Sequence, residues 1–308
     1  MNAPEALDAA NACHDDDPPR GAELLRGIDP AGLAADQWPL FAFLINHVLA
    51  EKLGLMAEAN ERQHRLLAAA GDAPAPVLLR QAAVAALLAG DSVAELAHAA
   101  EFAAATGVAT AQAVELVQLA AAALRVPGAE AGSAGRLTLD ALAPLAAPHW
   151  QQASALDSAA AAQCNNLASD LAERPPAALA DAGLREALAR AAAWSQTFWQ
   201  RAGTWVHHER ACYLRALVAG ALGEAEAARA HALAGLALLD AHDSAQEQSV
   251  DRAFLEMEHG FACERLGHAD EAAAAHARAD ALAADFGDAG LTAWYRQRVE
   301  RNRLLAGL

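Results

Sequence analysis

Apolar residues recur along most of this chain at the spacing of one helix face. Val250, Phe254, Met257 and Phe261 follow the pattern i, i+4, i+7, i+11, which places four side chains on one side of an α-helix. The segment from 114 to 124 repeats this periodicity. We therefore expect amphipathic helices rather than strands in these parts of the chain.

Turn signals divide the helical segments at regular intervals. They lie at Asp17-Pro18-Pro19, Gly54, Gly90, Pro127–Gly135, Arg174-Pro175-Pro176, Gly223 and Gly267. Successive signals are about 36 to 48 residues apart, a period typical of helical-hairpin repeats. The pattern predicts about seven antiparallel helical hairpins, followed by a final helix over about Ala289–Leu305.

Two sequences of the capping-box type support the predicted helix starts. Ser92 is followed three residues later by Glu95, and Ser244 by Glu247. In such a box the hydroxyl and the carboxylate each accept a hydrogen bond from a free amide of the first helical turn. We expect a helix to begin at each of these serines.

The composition strengthens the all-α prediction. Hydrophobic residues make up 55% of the 308 residues but aromatic residues only 5%, so alanine supplies much of the apolar share. Alanine is the strongest helix former, and its small side chain lets neighbouring helices approach closely. The apolar segment Trp38–Leu53 predicts a helix buried between neighbours. The expected fold is an all-α stack of helical hairpins.

One hairpin resembles the tetratricopeptide-repeat superfamily. Gly260, Gly267, Glu271, Ala272 and Ala279 match its pattern of a small residue within the first helix, a turn glycine and an acidic-alanine start to the second helix. Looser matches occur at Ala216, Gly223, Ala228 and Gly235, and at Gly54, Glu58 and Ala59. The resemblance implies a right-handed superhelical solenoid whose first helices line a concave binding surface and whose last helix caps the stack.

A single helical-repeat domain over residues 1–308 is the expected organisation. Glycines and prolines interrupt the segment at about 127–149, which marks a weak boundary between two halves. Because each hairpin of a solenoid buries its apolar face on the next one, a continuous stack is favoured over two independent domains.

Net charge and chain ends limit the classes of partner and location. The formal net charge is −17, with no local lysine or arginine stripe, so nucleic acid and anionic membrane surfaces are unfavourable partners. The N-terminus lacks the pattern of a signal peptide, and no uninterrupted apolar segment reaches about 18 residues. Four scattered cysteines without a Cys-x-x-Cys motif favour reduced thiols in a cytoplasmic protein.

Polar residues within the apolar first helices are the candidate ligand or partner contacts. In the resembled superfamily such positions face the concave groove. They either line an open groove or pair with one another between hairpins, which would satisfy buried polar groups. The candidates are Asn165, Asn166, His207, Glu209, Arg210, Arg252 and Glu256.

Two histidine–cysteine pairs raise the alternative of a zinc site. His208 and Cys212 are four residues apart, and so are His259 and Cys263, which places each pair on one helix face. The two pairs are offset along their helices relative to the turns, so buried thiols beside hydrogen-bonded histidines are favoured over a metal. We expect neither a metal nor a cofactor.

The sequence favours a non-catalytic scaffold or adaptor that binds a protein or peptide. A regulatory sensor that takes a small ligand or short peptide in the groove is the first alternative. A metal-dependent hydrolase using His207, His208 or Glu209 is the second. A nucleophile built from Cys212, His208 and Glu209 lacks a glycine-rich turn for an oxyanion hole.

Overall fold

Helices form most of the chain that the structure describes. The computed structural model describes residues 1–243, 245 and 247–307, and within these residues it contains 15 α-helices and no strand. The all-α prediction is confirmed. The chain divides into two compact units, one formed by Met1–Ala129 and Ala143–Leu156, the other by Glu130–Leu142 and Asp157–Leu308.

The first unit contains seven α-helices. They are α1 (Ala3–Cys13), α2 (Pro18–Arg26), α3 (Trp38–Leu44), α4 (Met56–Ala70), α5 (Pro76–Ala89), α6 (Ser92–Thr106) and α7 (Thr110–Arg125). Short 3-10 helices lie at Pro30–Gly32, Ala143–Ala146 and Pro148–Trp150. Leucine, alanine and valine side chains from these helices form one continuous apolar core.

Helix α3 continues directly into a π-helix at Ile45–Lys52. Phe41, Ile45 and Val48 are at most 1% exposed, which confirms the predicted buried helix. The side-chain amide of Asn46 is also buried in this π-helix, and its Nδ2 donates a hydrogen bond of 2.7 Å to Gln81 Oε1. The wider π-helical turn changes the direction of the side chains that follow it, and such turns are frequent at functional sites.

The second unit contains eight α-helices. They are α8 (Ala131–Leu142), α9 (Asp157–Glu173), α10 (Ala182–Ala202), α11 (Trp205–Leu222), α12 (Ala225–His242), α13 (Ser249–Leu266), α14 (Ala269–Ala284) and α15 (Ala289–Ala306). A 3-10 helix spans Pro176–Ala180. From α9 to α14, each helix packs extensively against the next one. This packing is consistent with a helical solenoid, and the predicted last helix is confirmed.

Glycines end three of the helices as the sequence predicts. Gly90, Gly223 and Gly267 follow α5, α11 and α13 with φ of 78°, 82° and 77°. This left-handed conformation strains any residue with a Cβ, and it lets the amide of the glycine return to the last carbonyls of the helix.

The predicted cap of α6 is wrong by one residue. Asp91 is the N-cap, and its carboxylate accepts a hydrogen bond of 3.0 Å from the amide of Ala94, so Ser92 is already within the helix. Aspartate competes well with serine at this position because its carboxylate is a strong acceptor and its charge suits the helix dipole. The second predicted box, at Ser244, lies outside the described residues.

No single helix among the described residues is long and apolar enough to cross a bilayer. Helices α6 and α7 pass only as a pair, and they are bent by 117° relative to each other.

Candidate functional site

All seven predicted contact residues lie in the second unit, on three of its helices. Asn165 and Asn166 are on α9, the former half-buried and the latter exposed. His207, Glu209 and Arg210 are on α11, and Arg252 and Glu256 are on α13. The structure brings only the last two together, in one pocket.

This pocket has a volume of about 440 Å³ and lies between the C-terminal end of α12, the first half of α13 and the second half of α14. We call it the α12–α14 pocket. Its wall carries charged groups of both signs and a small apolar patch. It is lined by Asp240, Asp243, Ser249, Arg252, Glu256, Arg278, Ala281 and Leu282.

Two ion pairs cross the α12–α14 pocket. Arg278 binds Glu256 in a bidentate arrangement, with Nε–Oε1 and Nη2–Oε2 both at 2.7 Å. Arg252 Nη2 lies 2.8 Å from Asp240 Oδ1. The Glu256 pair is planar and doubly hydrogen-bonded, which makes it the stronger one. The Asp240 side chain is 70% exposed, so its single contact is open to competition from solvent and ligands.

The electrostatics of Glu256 reflect this pairing. Burial raises the pKa of its carboxyl group, but the neighbouring His259 and Arg278 outweigh burial, and the pKa lies below its ordinary value. Glu256 is therefore a fixed negative charge at the base of the pocket. Its negative charge is committed to Arg278, whereas that of Asp240 remains accessible.

Asp243 forms another part of the wall and organises the turn that leads into α13. Its carboxylate accepts hydrogen bonds from the backbone amides of Glu247 at 2.8 Å and Gln248 at 2.9 Å. The side chain is 8% exposed. Asp243 therefore sets the position of the first turn of α13, from which Arg252 projects.

Arg210 lies outside the pocket and pairs with residues at the start of α13. Its Nε donates to Asp251 Oδ2 at 3.0 Å, and Nη2 lies 3.4 Å from Gln248 Oε1. The Arg210 side chain is 58% exposed. This contact joins α11 to α13 across 41 positions of sequence, as the internal-network alternative predicts for this residue.

Glu209 is fully buried, which the sequence did not indicate. Its two carboxylate oxygens have no hydrogen-bond donor within the described residues. Burial, followed by the charge of the nearby Asp251, raises the pKa of Glu209 to about 8. Because this pKa lies above 7, the Glu209 carboxyl group keeps its proton near neutral pH. A side chain without exposed surface does not contact a partner in this structure.

His207 and His208 hold the start of α11. The amide of Thr204 donates to His207 Nδ1 at 3.1 Å, and the His207 ring lies 4.3 Å from that of Trp199. His208 Nε2 lies 3.0 Å from the carbonyl oxygen of Trp199. Both rings therefore contact Trp199, and within the described residues neither is hydrogen-bonded to Glu209, the third residue of the hydrolase alternative.

The structure does not bring the four residues of the zinc alternative together in one group. Within the described residues, ligand atoms of His259 and Cys263 lie within 4.8 Å of each other and of Glu271, whereas His208 belongs to no such group. Arg229 Nη2 lies 2.8 Å from Glu271 Oε1. A guanidinium at this position already neutralises the carboxylate and disfavours a cation beside it.

The last helix covers part of the face formed by the first helices. From α15, Arg298 pairs with Glu173 at the end of α9, and Asn302 Nδ2 donates to Glu258 Oε1 of α13 at 3.0 Å. Tyr295 packs into the apolar cluster around Phe254. Near Glu258 the polar groups of the first helices are therefore occupied by the protein's own chain.

No protein-family model matches the chain, and no curated protein matches its sequence.

Proposed function

We propose that this protein is a non-catalytic scaffold that binds a protein or peptide through the α12–α14 pocket. The proposal includes a right-handed superhelical solenoid of about seven hairpins, similar to tetratricopeptide repeats, and a cytoplasmic location. The observation that supports it most directly is the pocket itself, which joins the predicted contact residues Arg252 and Glu256 in one concave site.

The size and lining of the pocket suit a side chain of a partner segment. A volume of about 440 Å³ is within the range of about 300–1,000 Å³ that is usual for ligand sites. Leu282 and Ala281 offer apolar contact to the aliphatic part of a long side chain. The two ion pairs that cross the pocket offer donors and acceptors to its polar end.

The charges favour a basic side chain, Lys or Arg. Three carboxylates against two guanidinium groups line the pocket, and the whole chain carries −17. Asp240 is the accessible carboxylate, and an incoming cation can replace Arg252 beside it. The acidic surface would also accelerate association with a basic segment, an effect that decreases with salt.

A peptide-display selection against the purified chain tests this proposal. We expect enriched peptides to carry a Lys or Arg residue, and Asp240→Asn to weaken their binding about tenfold, as for a charge-assisted contact of about 1.4 kcal/mol. The matched control is Asp270→Asn, an exposed acid of α14 outside the pocket. Equal affinity of the two variants, or no enrichment of basic peptides, would overturn the proposal.

A small-molecule sensor is the second candidate, favoured by the same volume and by the mixed charges of the wall. In that case Arg252 contacts the ligand, and Arg252→Ala abolishes the ligand-induced increase in melting temperature. Arg190→Ala is the control, since Arg190 pairs only with Glu186 on the exposed face of α10. A metabolite screen without a thermal shift at high ligand concentration excludes this candidate.

A further inference from the structure

A cluster of metal-ligating side chains lies in the first unit. His14 and Asp15 follow the end of α1, and His47 lies in the π-helix. One ligand atom from each of these three residues lies within 4.8 Å of the other two. Glu51 and Lys52 of the same π-helix border the cluster.

The distances within the cluster match those between ligands of one small cation. His14 Nε2 lies 3.2 Å from Asp15 Oδ2, and His47 Nε2 lies 3.3 Å from Asp15 Oδ1. In a tetrahedral zinc site with bonds of about 2.0–2.1 Å, neighbouring ligand atoms are about 3.3–3.4 Å apart. The two rings approach different oxygens of Asp15 at close to this spacing, His14 at Oδ2 and His47 at Oδ1, so the carboxylate lies within reach of a cation held by both rings.

Both histidine rings are oriented through their other nitrogen. His14 Nδ1 lies 2.5 Å from the carbonyl oxygen of Asn11, and His47 Nδ1 lies 2.7 Å from Glu51 Oε2. A carbonyl or carboxylate oxygen only accepts, so each Nδ1 carries a proton. Each Nε2 faces an oxygen of Asp15 and donates to it without a metal, so a bound cation takes the place of the proton on Nε2. Ligating histidines in metal sites are held in this way by carbonyl or carboxylate acceptors.

The π-helix and the packing around it hold His47 in place. The exposed fractions of the His47 and Glu51 side chains are both 13%. Phe43 stacks on the His47 ring with centroids 5.2 Å apart and planes at 12°. Asp15 is 60% exposed, which leaves the remaining coordination positions of a bound cation open to water or another ligand.

Lys52 competes for the same carboxylate. Its Nζ lies 2.9 Å from Asp15 Oδ1, and its side chain is 32% exposed, so it can turn into solvent. The second described group of this kind, His259, Cys263 and Glu271, has Arg229 at 2.8 Å from its carboxylate. Arg229 belongs to a larger network of charged groups around Glu271. Lys52, in contrast, makes one ion pair at the surface among the described residues.

We propose that His14 Nε2, His47 Nε2 and the Asp15 carboxylate form a site for a first-row divalent transition metal such as Zn²⁺. Two imidazoles with one carboxylate suit zinc or iron(II), whereas Mg²⁺ and Ca²⁺ prefer oxygen ligands throughout. Glu51 is a positioning residue that orients His47, and Lys52 leaves Asp15 when the metal binds.

Calorimetric titration of the chelator-treated protein with Zn²⁺ tests this site. We expect one Zn²⁺ bound in the wild type and loss of that binding in His47→Gln. His14→Gln gives the same result at a more exposed position and guards against misfolding of the first variant. His259→Gln is the control and retains the site. Equal Zn²⁺ affinity of the wild type, His47→Gln and His14→Gln overturns the proposal, as does the absence of Zn²⁺ binding.

Two further variants separate a metal site from a cluster of ion pairs. Lys52→Met removes the competing cation and strengthens Zn²⁺ binding, while Glu51→Gln weakens it about 10- to 100-fold, as is usual for groups that orient a ligand. With Co²⁺ as the probe, nitrogen and oxygen ligands give a visible absorption band without a thiolate charge-transfer band. A thiolate band, or a Lys52→Met affinity no higher than that of the wild type, contradicts the assignment.

Discussion

The side-chain amide of Asn302 donates a hydrogen bond of 3.0 Å to Oε1 of Glu258. Both side chains are buried, at 4% and 2% exposure. Forty-four positions separate the two residues. The contact joins the last helix α15 to α13 and gives a partner to a carboxylate that has no access to water.

Removal of this amide destabilises the fold. Asn302→Ala leaves Glu258 with one donor fewer in a buried position, and we expect the free energy of unfolding to decrease by about 1–3 kcal/mol. Urea denaturation measures it. Arg303→Ala on the same helix breaks only the exposed pair with Glu300 and should cost less than about 1 kcal/mol. An equal decrease in the free energy of unfolding of the two variants would show that the buried Asn302 contact stabilises the fold no more than the exposed pair does.

Helices α12 and α13 approach each other closely at Gly235. A Cβ at this position would lie 2.7 Å from Cδ2 of Leu255, whose side chain is fully buried. Gly235→Ala should therefore lower the free energy of unfolding by about 1–3 kcal/mol. At Gly220 the nearest group to an added Cβ is Glu258 Oε2, at 3.5 Å, so Gly220→Ala should be neutral or stabilising. Thermal or urea unfolding of both variants checks the contrast.

The stability of the protein should depend on pH through Glu209. The pKa of its carboxyl group is raised from 4.5 to about 8 in the folded state. Between these values the folded protein keeps the proton while the unfolded chain has lost it. Unfolding then releases a proton, and the free energy of unfolding falls as the pH rises.

The variant Glu209→Gln imitates the protonated acid at every pH. We expect it to lose less stability than the wild type between pH 5.5 and 8, as measured by urea midpoints at both values. Glu226→Gln, an exposed position on α12, should leave the pH dependence unchanged. A wild-type profile that is matched by Glu209→Gln would contradict the assigned protonation of Glu209.

The cysteines should differ in their reactivity toward thiol reagents. All four are free; Cys164, Cys212 and Cys263 are buried, and Cys13 is partly exposed. Burial raises the pKa of the Cys164 thiol, which suppresses the reactive thiolate. We expect native alkylation to modify Cys13 first and the other three only in denaturant. Peptide mass spectrometry identifies the modified sites; early modification of Cys164 would contradict the observed burial.

Local signals in the sequence were sufficient for the helices themselves. Apolar spacing located the buried faces of α7 and α13, because one helix turn fixes which side chains share a face. Gly90, Gly223 and Gly267 were recognisable as helix ends, because the left-handed backbone conformation that ends a helix favours glycine and is a local property of the chain. The cap at Asp91 was misplaced by one residue, since two adjacent residues were both chemically able to cap the helix.

Local signals were not sufficient for the α12–α14 pocket or for the His14, Asp15 and His47 cluster. Arg252 and Glu256 were identified as unusual polar residues, but their partners Asp240 and Arg278 come from other helices and had no distinguishing local pattern. His14 meets His47 only because the end of α1 lies beside a π-helical turn. Asp15 and His47, which are in contact there, are 32 positions apart in the sequence. The spacing His47–Glu51 was the single local signal, and it could not indicate a third or fourth group.

The sequence by itself thus determined that the chain is helical, where several of its helices end and which apolar side chains share a face, since propensity and periodicity act over a few residues. Tertiary structure alone decided that Glu209 is a buried acid, that α15 lies on Glu258, and that His14, Asp15 and His47 lie in one cluster. These properties depend on burial and on distances between remote segments, and both are set only when the helices pack.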